Sequence, residues 1–188
     1  MGSLPNHGRR GNLFNPFVAN GYGLLRTGSH GGTRFQHTST EIQLLLHLMS
    51  TDPTKVLVLC TGNSCRSIMA EALINHLGQG RFQAWSAGSH PAGYVHPGSL
   101  ATLKRHGINP GQPHSKSWHD MTSQSFDLIL TVCDQAAGEI CPVFPGHPRK
   151  LHWSIPDPGR VTGTKDEINA AFDQAFFLLK SKIEDFLS

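Results

Sequence analysis

Between Met1 and Thr40 the chain has no aspartate and no glutamate. That stretch is rich in glycine, histidine, asparagine and arginine and shows no apolar period. Residues 1–48 are therefore expected to be a disordered N-terminal extension, with the folded domain spanning 49–188. Long apolar runs are missing too. Leu44-Leu45-Leu46 is the longest apolar cluster near the N-terminus, far short of a membrane span. A basic face is also missing from the second part. Residues 1–48 hold Arg9, Arg10, Arg26 and Arg34 against Glu41, which leaves twelve basic and twelve acidic residues in 49–188. Nucleic acid and membrane partners are not expected. Twelve histidines are scattered without an H-E-x-x-H or C-x2-C motif, so neither a metal nor another cofactor is expected.

Cysteine is scarce: Cys60, Cys65, Cys133 and Cys141 are all there is. In a secreted domain they would read as two disulfides, in a cytosolic one as catalytic or redox thiols. No signal peptide is visible, which favours a cytoplasmic protein. Three origins compete for the extension: an upstream start or expression leader, a transit-like peptide, or a functional tail. The first fits best, since Met49-Ser50-Thr51-Asp52-Pro53 looks like a natural start and the glycine content argues against an amphipathic helix.

The full chain of 188 residues has room for one domain with a real core. From Lys55 onward it alternates between strand-like and helix-like segments. Strands are expected at Lys55–Leu59, Phe82–Ala87, Asp127–Val132 and Lys150–Trp153. Helices are expected at Arg66–Leu77, Pro97–His106 and Asp166–Leu187. The last carries Ile168, Ala171, Phe172, Ala175, Phe176, Leu179, Ile183 and Phe186 near a 3.6-residue period, which is a core stripe. Such alternation implies an α/β domain: a four-stranded parallel sheet in three layers, with helices on both faces.

The densest chemistry is Cys60-Thr61-Gly62-Asn63-Ser64-Cys65-Arg66-Ser67, at a strand-to-helix junction. Backbone N–H groups of such a loop converge on one point, where a helix N-terminus also favours negative charge. Gly62 and Asn63 tolerate the positive φ this requires. Arg66 adds a planar fork suited to two oxygens of a tetrahedral oxyanion. The same field predicts a depressed pKa and a nucleophilic thiolate at Cys60, with Ser67 donating a hydroxyl to it. Ligands bind at the carboxyl ends of parallel strands. Cys60 ends the first strand, Cys133 follows the third and Asp157 follows the fourth, so all three should share one edge. There Asp157 is suited to protonate a leaving oxygen.

The string from Cys60 to Ser67, with Asp157-Pro158 late in the chain, resembles the low-molecular-weight protein tyrosine phosphatase family. The longer set resembles the arsenate reductases built on that fold. It runs Cys60–Glu71, then Trp85-Ser86-Ala87-Gly88, then His152-Trp153 before Asp157-Pro158. The thioredoxin-coupled type is the most similar. The resemblance implies oxyanion binding by Thr61 to Ser67 and a covalent adduct of Cys60 with arsenate. It implies that Cys133 attacks Cys60 and releases arsenite, and that Cys141 carries the redox-active disulfide to the surface for thioredoxin. Arsenic resistance is the implied role, with phosphate or sulfate as competing oxyanions and a monomer as the expected form. Glutaredoxin with glutathione stays open as the reductant, because the Cys133–Cys141 loop is one residue longer than in the resembled enzymes. Those enzymes also hold a potassium ion. Asn63, Glu71 and Ser86 match three of its ligands, whereas Ser117 stands where the acidic one is expected.

A phosphatase is the alternative, needing only Cys60, Arg66 and Asp157. The Gly159-Arg160-Val161 segment lacks the aromatic pair that flanks a phosphotyrosine ring in those enzymes, which leans against it. A metal–thiolate sensor built on Cys133, Cys141 and His152 is a third reading, disfavoured by the C-x7-C spacing.

Overall fold

A computed structural model describes residues 52–188, and the expected disordered extension lies outside the described residues. Four strands form one sheet: β1 (Thr54–Cys60), β2 (Phe82–Gly88), β3 (Leu128–Thr131) and β4 (Arg149–His152). Their order is β2-β1-β3-β4, and every pair is parallel. Val56 to Leu59 are fully buried because this central strand is covered on both faces. Side chains alternate across it. Val56, Val58 and Cys60 enter one core cluster; Leu57 and Leu59 join Trp118, Met121, Phe126 and Phe144 in the other. This is the expected three-layer α/β domain.

Four helices accompany the sheet: α1 (Arg66–Leu77), α2 (Pro97–Arg105), α3 (Asp134–Gly138) and α4 (Lys165–Leu187). α1 is apolar nearly all round because it packs between the sheet and α4, burying Ile68, Met69, Leu73 and Ile74. Pro97 opens α2, with the His96 side chain accepting from Gly98 N–H. Thr164 and Glu167 form a capping box at the start of α4. Its stripe buries Phe172 and Phe176, each worth about 1.5–3 kcal/mol by removal from water. His96 stacks on Phe172 at 4.9 Å and His106 on Phe176 at 4.3 Å, tying α2 to α4.

Two local features differ from the sequence reading. Residues 134–138, expected as loop, form the short α3, whose first turn is held by Cys133 Sγ accepting Ala136 N–H at 3.4 Å. β3 is one residue shorter than expected at each end, and Asp127 instead accepts Lys55 N–H at 2.8 Å. Topology places the site. The chain leaves β1 toward β2, then crosses back to β3 on the other side. That reversal opens a crevice at the carboxyl ends of β1 and β3. No helix among the described residues is long and apolar enough to cross a membrane.

Candidate active site

The Cys60–Ser67 loop is built by turning its carbonyls outward. Ser89, His90, Ala92 and His96 each donate a backbone N–H to it, meeting the carbonyls of Cys60, Thr61, Gly62 and Ser64 at 2.8–3.2 Å. With the carbonyls held by this strap, the loop's N–H groups are left for the interior. Asn63 takes the positive φ, at 43°, and Gly62 does not. Asn63 N–H donates to Cys60 Sγ at 3.1 Å, and Ser67 Oγ lies 2.9 Å from the same sulfur.

Hydrogen directions in this buried cluster follow from its anchors. Lys116 N–H donates to Asn63 Oδ1 at 2.8 Å, which turns the Asn63 amide nitrogen toward Ser67 Oγ at 3.0 Å and Ser86 Oγ at 2.8 Å. Ser86 passes its own hydrogen to Glu71 Oε2. Ser67 therefore accepts from Asn63 and points its hydrogen at Cys60. That polarity favours a thiolate.

Burial nonetheless pushes the Cys60 thiol pKa up, against the opposing donors Ser67 and Asn63 N–H. The expectation of a depressed value fails here for a physical reason. Cys60 is only 3% exposed, and the charge best able to offset that desolvation is turned away. Arg66 directs Nη1 to Ile155 O at 3.0 Å and Nη2 to Asp157 Oδ2 at 2.8 Å. Its Nε and the Ser64 hydroxyl are buried without partners. Buried polar atoms are normally paired, so Nε of Arg66, whose side chain lines the cavity, is a donor ready for an oxyanion. Cys65, behind the loop, is raised to about 11, chiefly by burial.

Asp157 faces two cations, Arg66 and, at 3.6 Å, the Nε of Arg160. With Cys133, Asp134 and Ser154 they line a cavity of about 270 Å³. Cys133 is 2% exposed, its sulfur 3.5 Å from Thr61 Oγ1. Cys60, Cys133, Arg66 and Asp157 are thus brought together at the sheet edge. Cys141 is not among them. It packs with the Phe144 side of the core and lines a separate cavity of about 330 Å³ with Ala136 and Lys150.

The potassium site implied by the resemblance does not fit these residues. Asn63, Ser86 and Glu71 do meet, but Asn63 Oδ1 already accepts Lys116 N–H, Ser86 Oγ lies between Asn63 and Glu71 Oε2, and a cation already stands beside Glu71. The Lys116 ammonium faces Glu71 Oε2 at 3.7 Å. Ser117, expected at the acidic position, instead caps the 3-10 turn Trp118–Met121 together with Asp120. Neither Lys116 nor the Ser89–His96 strap was foreseen from the sequence. A lysine between two serines reads as solvated loop, and backbone donors leave no residue-type signal.

Comparison with known proteins agrees with this fold. An arsenate reductase of Shouchella clausii is 33% identical over 128 residues, covering 68% of this chain and 91% of that protein. The crystal structure of an arsenate reductase from Archaeoglobus fulgidus superposes with a TM-score of 0.57 at 27% identity, covering 70% of this chain and 98% of that one. The tyrosine phosphatase Wzb from Escherichia coli K30, in complex with sulphate, shares the fold. Its TM-score is 0.55 at 21% identity, over 71% of this chain and 95% of that one. Residues 55–188 match the model of the low molecular weight phosphotyrosine protein phosphatase family, and the chain belongs to that family.

Proposed function

We propose that this protein reduces arsenate to arsenite through Cys60, Cys133 and Cys141, acting in the cytoplasm in arsenic detoxification. The observation that carries the reading is the buried Cys133 thiol against Thr61, at the mouth of the Cys60 loop. Phosphate ester hydrolysis has no use for a second thiol there. Reduction of a metalloid requires one.

Arsenate enters the loop, accepting from backbone N–H groups and Arg66. Cys60 thiolate attacks arsenic, an As–S bond forms, and an arsenic oxygen departs as water after protonation by Asp157. Cys133 thiolate then attacks Cys60 Sγ. The As–S bond breaks, its electron pair stays on arsenic as arsenite, and a Cys60–Cys133 disulfide results. Cys141 thiolate attacks Cys133, freeing Cys60 and moving the disulfide to Cys133–Cys141. A dithiol such as thioredoxin, or glutaredoxin with glutathione, returns the two electrons.

Two features support motion in the segment between these thiols. α3 has only five residues, and Ile140, between it and Cys141, is 97% exposed, so little packing holds the segment. The test is arsenite formation by the wild type and Cys133→Ser, with each reductant supplied. Catalytic turnover by Cys133→Ser would hand the lead to the phosphatase reading.

A further inference from the structure

Lys116 is a lysine drawn inward: its side chain is 10% exposed, with Nζ 3.4 Å from His114 O and 3.7 Å from Glu71 Oε2. Long ammonium side chains normally keep their heads in water. Here the head faces a carboxylate that is itself only 22% exposed, at the far end of the hydrogen-bonded run Glu71–Ser86–Asn63–Ser67–Cys60. The same residue's backbone N–H fixes the orientation of Asn63. One residue thus sets both the charge at one end of the run and the polarity in its middle.

We propose that Lys116 is the built-in counter-cation of the nucleophile loop, a positioning residue whose ammonium holds Glu71 where a bound monovalent cation would otherwise be needed. Without a positive charge beside it, Glu71 stands uncompensated next to a buried polar cluster and is free to turn away from Ser86 toward water. Once it does, Ser86 has no carboxylate to donate to. Ser86 is then free to donate back to Asn63, and the amide loses the constraint that directs the Ser67 hydrogen to the sulfur. With Lys116 present, the carboxylate stays against Ser86 and the run keeps one polarity. This assignment rests on Cys60 as the nucleophile, and not on which acceptor receives its electrons.

The experiment measures iodoacetamide alkylation of the Cys60 peptide by mass spectrometry, at one fixed pH and constant ionic strength, in potassium, sodium or choline chloride. No arsenate is present, so a failure of the arsenate reading leaves the result intact. The wild type should react at the same rate in all three salts. Lys116→Met should react about three- to tenfold more slowly in choline, the size of effect one nearby charge exerts in a half-buried site. Potassium should restore most of that rate by entering the position left by the ammonium. Lys116→Arg should stay near the wild-type rate. A wild type accelerated by potassium over choline would overturn the assignment, and this reading needs no variant to fold. So would a Lys116→Met protein as reactive as the wild type in choline, or a deficit that potassium leaves unchanged and Lys116→Arg shares.

Discussion

The Arg66 guanidinium is held 2.8 Å from the Asp157 carboxylate, and the two groups line one cavity together with Cys133. The pairing makes the proposed acid a competitor for the oxyanion-binding group. A tetrahedral anion must draw guanidinium N–H groups toward itself, loosening their hold on Asp157.

Asp157→Asn should therefore separate binding from turnover. The amide cannot compete for Arg66 as a charge, so the inhibition constant of phosphate should fall several-fold. It cannot give up a proton either, so kcat should drop on the order of 10²-fold or more. Parallel weakening of phosphate binding and turnover would show that Asp157 positions Arg66 instead of restraining it.

Gly88 ends β2 against the nucleophile loop. A Cβ there would lie 2.5 Å from Thr61 O and 3.0 Å from Asn63 N, both backbone atoms of the loop. Neither can yield without moving the Cys60 sulfur. Gly88→Ala should cost about 1–3 kcal/mol in a urea melt and lower Cys60 alkylation together with phosphate binding. Unchanged values would mean that the loop is softer than its strap of backbone hydrogen bonds implies.

These contacts bear on what could be read in advance. The meeting of Cys60, Arg66 and Asp157 at one sheet edge was legible because strand ends and helix starts of a parallel sheet share that edge. The closing helix was legible because Phe172, Phe176 and Leu179 follow its period. α3 was not, since five residues carry no period and its first turn depends on a sulfur acceptor at Cys133. Nor was the direction of the Cys60 shift: the motif displays its donors, while the desolvation opposing them comes from residues packed around the loop. Lys116 became visible only through its distance to Glu71.

Cys65 carries an alkaline signature. Its thiol moves from an ordinary 9.0 to about 11 in the folded protein, chiefly through burial. The folded state therefore holds this proton more tightly than the unfolded chain. The associated stability is complete below pH 9.0 and is lost as pH rises through about 11. Cys65→Ser removes the titrating group, so its urea midpoint should decline less steeply across that window than the wild type's. Equal slopes would place the alkaline transition elsewhere.

Cys133→Ser and Cys141→Ser should divide the two chemistries considered for this site. Hydrolysis of an aryl phosphate needs water to attack the Cys60 adduct, with Asp157 as acid and then base, and no second thiol takes part. Reduction of arsenate needs a thiol to attack Cys60 so that an electron pair returns to arsenic. Cys133 lies against the loop and Cys141 in a different cavity, so the first replacement should act on chemistry and the second on recycling. Cys133→Ser should stop arsenite formation while sparing slow hydrolysis of p-nitrophenyl phosphate. Cys141→Ser should release close to one arsenite per protein and then stall with thioredoxin, its Cys60–Cys133 disulfide detectable in the intact mass. If both variants turn over arsenate like the wild type, the thiol relay is wrong. If only Cys141→Ser does, the reductant reaches Cys133 directly and the relay ends one thiol earlier.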